Sequence, residues 1–357
     1  MKKIGIVTIT ELDNFGNRLQ NYALQEILKR KNFEVETVRN LIVYGNRKKK
    51  LYKITELLKG ILRGNFKYRL GMVTKQQRFE DFDKKYFKFS RWKSTIDTID
   101  EPLSNEYDYV IAGSDQIWNP YYPFNLDFNF LSFVEKEKRI AYAASFGVDS
   151  IPEEKQEQFK KWLEGMNHIS VREFQGAKLV EQLTSKKCEV MPDPTLLLKK
   201  EEWLEIARKP KWFNKEEKYI LKYFLGSDDE YRKILENLDD KYKELKIIDI
   251  HNAYDRKRFS ITPDEFIYLI NESELMITDS FHGTVFSIIM QKPFVHSVRK
   301  EGDVKTNSRI DSLFRMCQIK NDSLVCSEHL HDKKTDVITE LQNKADDYLN
   351  RALEQGI

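Results

Sequence analysis

Cysteine is scarce. Cys188, Cys317 and Cys326 are the only three in 357 residues, and they lack paired metal-ligand spacing. So sparse and odd a set fits a reducing compartment and not a disulfide-stapled or zinc-bound fold. Long apolar runs are also missing: none approaches the ~20 residues that span a bilayer. The opening MKKIGIVTIT carries two lysines and a short apolar run, but polar ELDNFGNR follows at once. It reads as a first strand and not as a signal peptide, so the expected location is cytoplasmic. There is no strong charge excess either. Net charge is +3 and pI about 8.4, and no DNA- or RNA-binding signature is visible, so nucleic acid is not expected as a partner. No internal repeat or low-complexity tract interrupts the chain. What is there is 40% hydrophobic and 33% charged residues, the balance of a soluble globular protein. The length exceeds one ordinary core and suggests two domains.

Ile4–Ile9 reads as a buried strand, and Thr10–Arg18 as a polar, glycine-containing loop. Leu19, Tyr22, Ala23, Leu24, Ile27 and Leu28 then form a helical apolar stripe, and Phe33–Val38 a second strand. Such a βαβ opening places ligands at the carboxyl ends of strands. Tyr107–Ala112, Arg139–Ser145, His168–Val171 and Cys188–Met191 are further strands, each ending in a loop of polar or small residues. Glu153–Leu163 is an amphipathic helix. Six strand ends should therefore lie on one edge of a parallel sheet.

Residues 41–100 differ. They are rich in Lys, Arg, Phe and Tyr, with the run Arg47–Lys50 and helical periodicity around Leu51–Leu62. The favoured reading is a solvated helical insertion; a surface for an anionic lipid headgroup or sugar-diphosphate carrier is the alternative. Beyond a helix and charged link at Trp203–Glu217, a second α/β set begins. It comprises Tyr219–Leu225, a helix near Tyr231–Leu238, Leu245–Ile250, a capping-box helix (Thr262, Pro263, Glu265), and strands at Leu275–Thr278 and Phe294–Val298. Thr335–Leu353 is a charged amphipathic helix. The expected organisation is an N-terminal α/β domain (1–205), a C-terminal α/β domain (206–334) and a terminal helix (335–357). These are two Rossmann-like domains facing a central cleft.

The stretch Leu275–Val295 holds the clearest chemistry. A short apolar strand turns sharply at Asp279–Ser280, and Val285, Ile288 and Ile289 then fall at helical spacing. Ser280 is an N-cap candidate. His282 then sits in the first turn, where free N–H groups and the helix dipole attract an anion. Gly283 removes a side chain where a ligand could approach. The bland reading is a buried αβ unit whose histidine bonds a neighbouring loop. Across the cleft, Asn14, Asn17, Asp115, Arg172 and Asp193 would line the facing wall.

Six motifs in order carry a family resemblance: NFGNRLQNYALQ (Asn14–Gln25), AGSDQIWN (Ala112–Asn119), AYAASFG (Ala141–Gly147), ISVRE (Ile169–Glu173), MPDPTLLL (Met191–Leu198) and TDSFHGTVFSI (Thr278–Ile288). Together they resemble the polysaccharide pyruvyl transferase family. The resemblance implies a fold similar to GT-B glycosyltransferases. It also implies transfer of a pyruvyl group from phosphoenolpyruvate to a sugar, usually as a ketal, with phosphoenolpyruvate as co-substrate and no cofactor. The acceptor would be a polysaccharide sugar or its lipid- or nucleotide-linked precursor, and a lipid-diphosphate carrier would bring peripheral membrane contact. Residues 41–100 and the last 40 or so carry little of the match.

By that resemblance Arg172 and His282 contact phosphoenolpyruvate, with the N–H groups of Ser280, Phe281 and Gly283 beside them and Arg309 as a second clamp. His282 is a candidate general acid. Asn14, Asn17 and Gln20 are candidates to orient acceptor hydroxyls, and Asp115 to take their proton, although Asp115 could simply cap a helix. Asp193 reads better as a turn former and Asp279 as a cap or a support for His282. Trp118 fits core packing better than sugar stacking. His329 and His331 read as a solvated turn, and no metal site is proposed. Two competitors remain: a nucleotide-sugar-dependent glycosyltransferase of the same architecture, and a non-catalytic carbohydrate- or anion-binding module.

Overall fold

The structure is a computed structural model. It describes the whole chain except residues 11–12, 42–48, 96–97, 123–125, 215–216, 298–299, 302–303, 306–307, 321–333 and 355–357. Cys326, His329, His331 and the start of the Arg47–Lys50 run lie outside the described residues.

The chain opens with β1 (Lys3–Val7), α1 (Phe15–Arg30) and β2 (Glu34–Leu41). A helical hairpin follows, α2 (Lys49–Leu62) and α3 (Phe66–Tyr86), and then β3 (Phe89–Thr95) and β4 (Tyr109–Ala112). A short α4 (Leu126–Asn129) precedes β5 (Arg139–Ala144), α5 (Glu153–Glu164), β6 (His168–Val171), α6 (Phe174–Leu183) and β7 (Glu189–Val190). These seven strands form one sheet in the order β3-β2-β1-β4-β5-β6-β7. Every pairing in it is parallel. Six of the strands sit where the apolar runs put them. The seventh, β3, comes from the stretch read as a solvated insertion, which also contributes α3. That reading fails because Phe79 and Phe82 are buried. Their apolar spacing is masked in sequence by the charged residues around them, Arg78, Glu80, Asp81, Asp83 and Lys84.

Helix α7 (Lys200–Ile206) leads to the second half: β8 (Tyr219–Tyr223), α8 (Asp228–Glu236), α9 (Asp240–Lys243), β9 (Lys246–Asp249), α10 (Arg256–Phe259), α11 (Pro263–Glu272), β10 (Leu275–Thr278), α12 (Phe281–Ile289) and β11 (Phe294–His296). Its four strands form a second parallel sheet in the order β11-β10-β8-β9. The expected capping box at Thr262–Glu265 is present. A short antiparallel pair, Lys300–Glu301 with Val304–Lys305, and two further helices, α13 (Ser308–Met316) and α14 (Lys334–Glu354), follow. Helix α14 returns to the first sheet. Ala345, Tyr348 and Leu349 pack with Ile4, Ile6 and Tyr142, and Tyr348 donates to the Ala141 carbonyl at 2.7 Å.

The fold is therefore α/β with two parallel, Rossmann-like sheets facing a common cleft. Strand order reverses between β1 and β4 in the first sheet and between β10 and β8 in the second. A crevice opens at the carboxyl ends of strands at such switch points. The halves are welded behind the crevice by a shared core. Phe15 of α1 stacks on Phe266 of α11, with centroids 4.4 Å apart and planes 7° from parallel. Tyr223 meets both rings edge-on. Arg78 of α3 adds a two-oxygen ion pair to Glu265.

Candidate active site

Both switch points open on one cavity of about 300 Å³. From the first half it is lined by Asn14 and Asn17 after β1, by Asp115, Gln116 and Asn119 after β4, and by Arg172 at the end of β6. From the second half come Leu225 after β8, Asp279–His282 after β10, His296 at the end of β11, and Arg309 of α13.

The α12 start forms as its residue types require. Ser280 caps the helix through a bond from Gly283 N–H to its Oγ (3.4 Å). Phe281 and His282, the first helical positions, have no intrahelical acceptor for their N–H groups. The Asp279 carboxylate accepts from Leu225 N–H at 2.8 Å and ties the β8 loop to the β10 turn. Gly283 stands away from the cavity, contrary to expectation. Its missing Cβ makes room for Thr278 Oγ1, which would lie 2.5 Å from it. Thr278 needs that space, because its hydroxyl donates to Tyr223 O and accepts from Ser280 N–H.

The glycine that does shape the site is Gly16. A Cβ there would sit 1.9 Å from His282 Nδ1. The imidazole thus lies against the backbone of α1, whose N-cap is Asn14, through bonds from Gly16 N–H and Asn17 N–H to its side-chain oxygen. Asn14 and Asn17 both line the cavity. Gln20 does not: it is fully buried one turn further in, and its amide donates to Thr8 Oγ1 (2.7 Å) and the Asn17 carbonyl (3.0 Å). Helical spacing, which carries Gln20 one turn away from Asn17, is the reason.

Arg172 is 1% exposed. Its Nη1 donates to Asp193 Oδ2 (2.7 Å) and the Ser114 carbonyl (3.1 Å). Its guanidinium lies 4.2 Å over the Phe281 ring. Asp193 is more than a turn former. Oδ1 does cap the short turn at Pro194–Leu197, accepting from Thr195 N–H and Oγ1. Oδ2 faces Arg172, accepts from Ser114 Oγ, and lies 3.4 Å from His282 Nε2. That last approach is ion-pair distance without hydrogen-bond geometry. Burial works against the Asp193 anion, but His282, Arg172 and Thr195 outweigh it and hold the carboxyl well below the usual range. Asp115 behaves oppositely. Burial pushes its pKa up, opposed by Arg172 and His282. Its Oδ1 accepts from Gln116 N–H at 2.7 Å.

Asp115 Oδ2, Arg172 Nε and His282 Nε2, buried polar atoms on residues that line this cavity, have no hydrogen-bond partner among the described residues. Buried polar groups are ordinarily satisfied, so such a cluster marks where a polar ligand belongs.

Several contributors escaped sequence reasoning. Glu173 is fully buried, and its Oε1 accepts from Ser145 Oγ, Phe146 N–H and Gly147 N–H. It pins a turn in which Gly147 adopts φ +66° against the Gln116 side chain. The Gln116 amide, oriented with its oxygen toward Arg309, accepts from that guanidinium. His296 Nδ1 is 2.8 Å from Thr284 Oγ1, and Tyr121 and Tyr122 form the exposed rim. The position of His296 at a strand end was the one available signal. Trp118 is core, stacked on Phe130 at 4.6 Å. Among the described residues no group of three or more His, Cys, Asp or Glu could hold a metal ion, and no helix is long and apolar enough to cross a membrane.

Comparison with solved structures finds similarity along the whole chain at low identity. A putative UDP-N-acetylglucosamine 2-epimerase from Listeria monocytogenes is 13% identical, with TM-score 0.49, covering 96% of this chain and 90% of that one. UDP-GlcNAc 2-epimerase from Neisseria meningitidis bound to UDP-GlcNAc is 11% identical, with TM-score 0.46, covering 99% and 100%. UGT89C1 of Arabidopsis thaliana complexed with quercetin is 9% identical, with TM-score 0.43, covering all of both chains. No curated protein matches in sequence. The polysaccharide pyruvyl transferase family model matches residues 14–299, most of the chain. The chain belongs to the polysaccharide pyruvyl transferase family.

Proposed function

We propose that this protein transfers a pyruvyl group from phosphoenolpyruvate to a sugar of a cell-surface polysaccharide, or of its lipid- or nucleotide-linked precursor, leaving a pyruvate ketal. No cofactor takes part. The observation that carries this reading is the unpartnered buried polar atoms of Asp115, Arg172 and His282, residues that line one cavity from both halves.

In this reading Arg172 and the first-turn N–H groups of α12 hold the donor's anionic groups, with Arg309 on the opposite side. One sugar hydroxyl adds to the central carbon of phosphoenolpyruvate while a proton reaches its methylene carbon, which becomes methyl. The second hydroxyl then displaces phosphate at the same carbon, closing the ketal. The two hydroxyl protons replace the one delivered to carbon and the one carried off with phosphate. Asp115, with its raised pKa, takes a hydroxyl proton, and His282 delivers one to the donor. Asn14 and Asn17 orient the acceptor.

The test is phosphate release from phosphoenolpyruvate against a panel of nucleotide-linked and lipid-linked sugars, with mass spectrometry of the product. Acceptor-dependent phosphate release and a pyruvylated sugar are expected. Turnover of a nucleotide sugar without phosphoenolpyruvate would point instead to a glycosyltransferase, and ligand binding without any turnover to a binding module.

A further inference from the structure

Among the described residues, twelve large apolar side chains are exposed, and six belong to the α2–α3 hairpin: Ile54, Leu58, Ile61, Leu62, Phe66 and Met72. Four lie on α2 itself at i, i+4, i+7 and i+8, one continuous helix face. They are 45, 53, 62 and 86% exposed in chain order. The opposite, polar face of α2 makes the packing contact. Lys53 pairs with Glu80 at 2.8 Å, and Glu56 pairs with Arg69. A helix that packs on its host normally does the reverse. The apolar face is therefore presented outward.

Charge says what covers it. Residues 47–72 hold nine Lys and Arg and a single acidic residue, a net +8, whereas the rest of the chain is net −5. We propose that the hairpin is a membrane-docking element that seats its apolar row in the headgroup region of an anionic bilayer, with its cations against the lipid phosphates. A second copy of the chain would bring its own residues 47–72, of the same net +8, against these, and a nucleic acid has no use for the apolar row. Position supports the same occupant. The start of α3 lies at the carboxyl edge of the second sheet, where a Cβ on Gly71 would lie 2.4 Å from the Ala253 carbonyl just beyond β9. The cavity opens on that same edge. A sugar carried on a lipid would thus meet the site at the membrane surface. The docking itself stands apart from the proposed reaction and is tested without turnover.

The experiment is co-sedimentation of the full chain with vesicles of phosphatidylglycerol in phosphatidylcholine, and with phosphatidylcholine alone. Binding to the anionic vesicles only is expected. Ile61→Glu with Leu62→Glu should lower the partition coefficient about tenfold or more, because two exposed anchors are exchanged for like-charged repulsion. Thermal unfolding should be unchanged, and Leu58→Ser with Leu62→Ser should lower binding in the same direction if the first pair impairs folding. Three results would overturn the proposal: no binding to anionic vesicles, equal binding of wild type and both variants, or a solution dimer that the substitutions dissolve.

Discussion

The Asp193 carboxylate stands 3.4 Å from Nε2 of His282, although one belongs to the β7 loop and the other to the first turn of α12. The same oxygen holds Arg172 Nη1 at 2.7 Å. One buried anion thus joins a guanidinium of the first sheet to an imidazole of the second, behind the cavity they both line.

Asp193→Asn should leave the Arg172 cation buried without its counter-charge. A stability loss of about 3–5 kcal/mol is expected by urea denaturation, partly restored by inorganic phosphate, which binds the folded state at that cation. The Asp193 pKa is depressed, so its contribution is full above the ordinary carboxylate range and disappears as pH falls through the folded value. The gap between wild type and variant should therefore persist at neutral pH and close only in strong acid.

Arg172→Ala and His282→Ala should each lower kcat/KM by roughly 10²-fold, about 3 kcal/mol, if both groups meet charge that develops in the transition state. Losses below about tenfold at both positions in the phosphate-release assay would place the donor elsewhere.

Asp115→Asn separates activity from stability. Loss of the base should lower turnover by about 10²-fold or more. The raised pKa means that the folded state holds this proton to higher pH than the unfolded state does. Stability from this group is present in acid and falls as pH rises through the folded value, so its ionised form is a cost at neutral pH. The variant should be the more stable protein at pH 7 while nearly inactive. In the wild type, kcat/KM should fall on the acid side with an inflection above the usual aspartate range.

Gly16→Ala and Gly283→Ala should fail differently. The first drives a methyl into His282 Nδ1 and should reduce turnover far more than substrate binding. The second collides with Thr278 Oγ1, which joins β8 to the α12 start. It should destabilise by about 1–3 kcal/mol in chemical denaturation. Equal kinetic and stability profiles for the two would contradict these placements.

Lys75 of α3 lies 4.5 Å from the Phe259 ring centroid and 5.0 Å from that of Phe15. Burial pushes its pKa down to about 8, opposed by Asp13. Between that value and the ordinary lysine range the unfolded chain binds the extra proton, so stability rises with pH across the window. Lys75→Met should be more stable than wild type at pH 7, and the difference should shrink toward pH 10, as read from paired denaturation curves.

Much of this molecule is written locally. Strand–loop–helix order follows from apolar spacing, the Ser280 and Thr262 caps from residue type, and the cavity edge from the rule that parallel sheets bind at carboxyl ends. β3 and the buried side of α3 were hidden by charged residues around a few aromatics, because period alone cannot tell a solvated helix from one that bridges two halves. Gln20 and Gly283 were misplaced because a motif says which residues are neighbours, not how deep in the fold each one lies. Gly16 could not be assigned at all, and Asp193 was read as a turn former on the cleft wall without its charge partners. Their partner, His282, is more than 85 residues away from either in the chain, and only the meeting of the two sheets at their switch points brings a glycine Cα and a buried carboxylate against one imidazole. Local physics determined the elements and their caps by itself. Which side chains share a low-dielectric pocket, and so which charges are held or lost, was decided by tertiary packing alone.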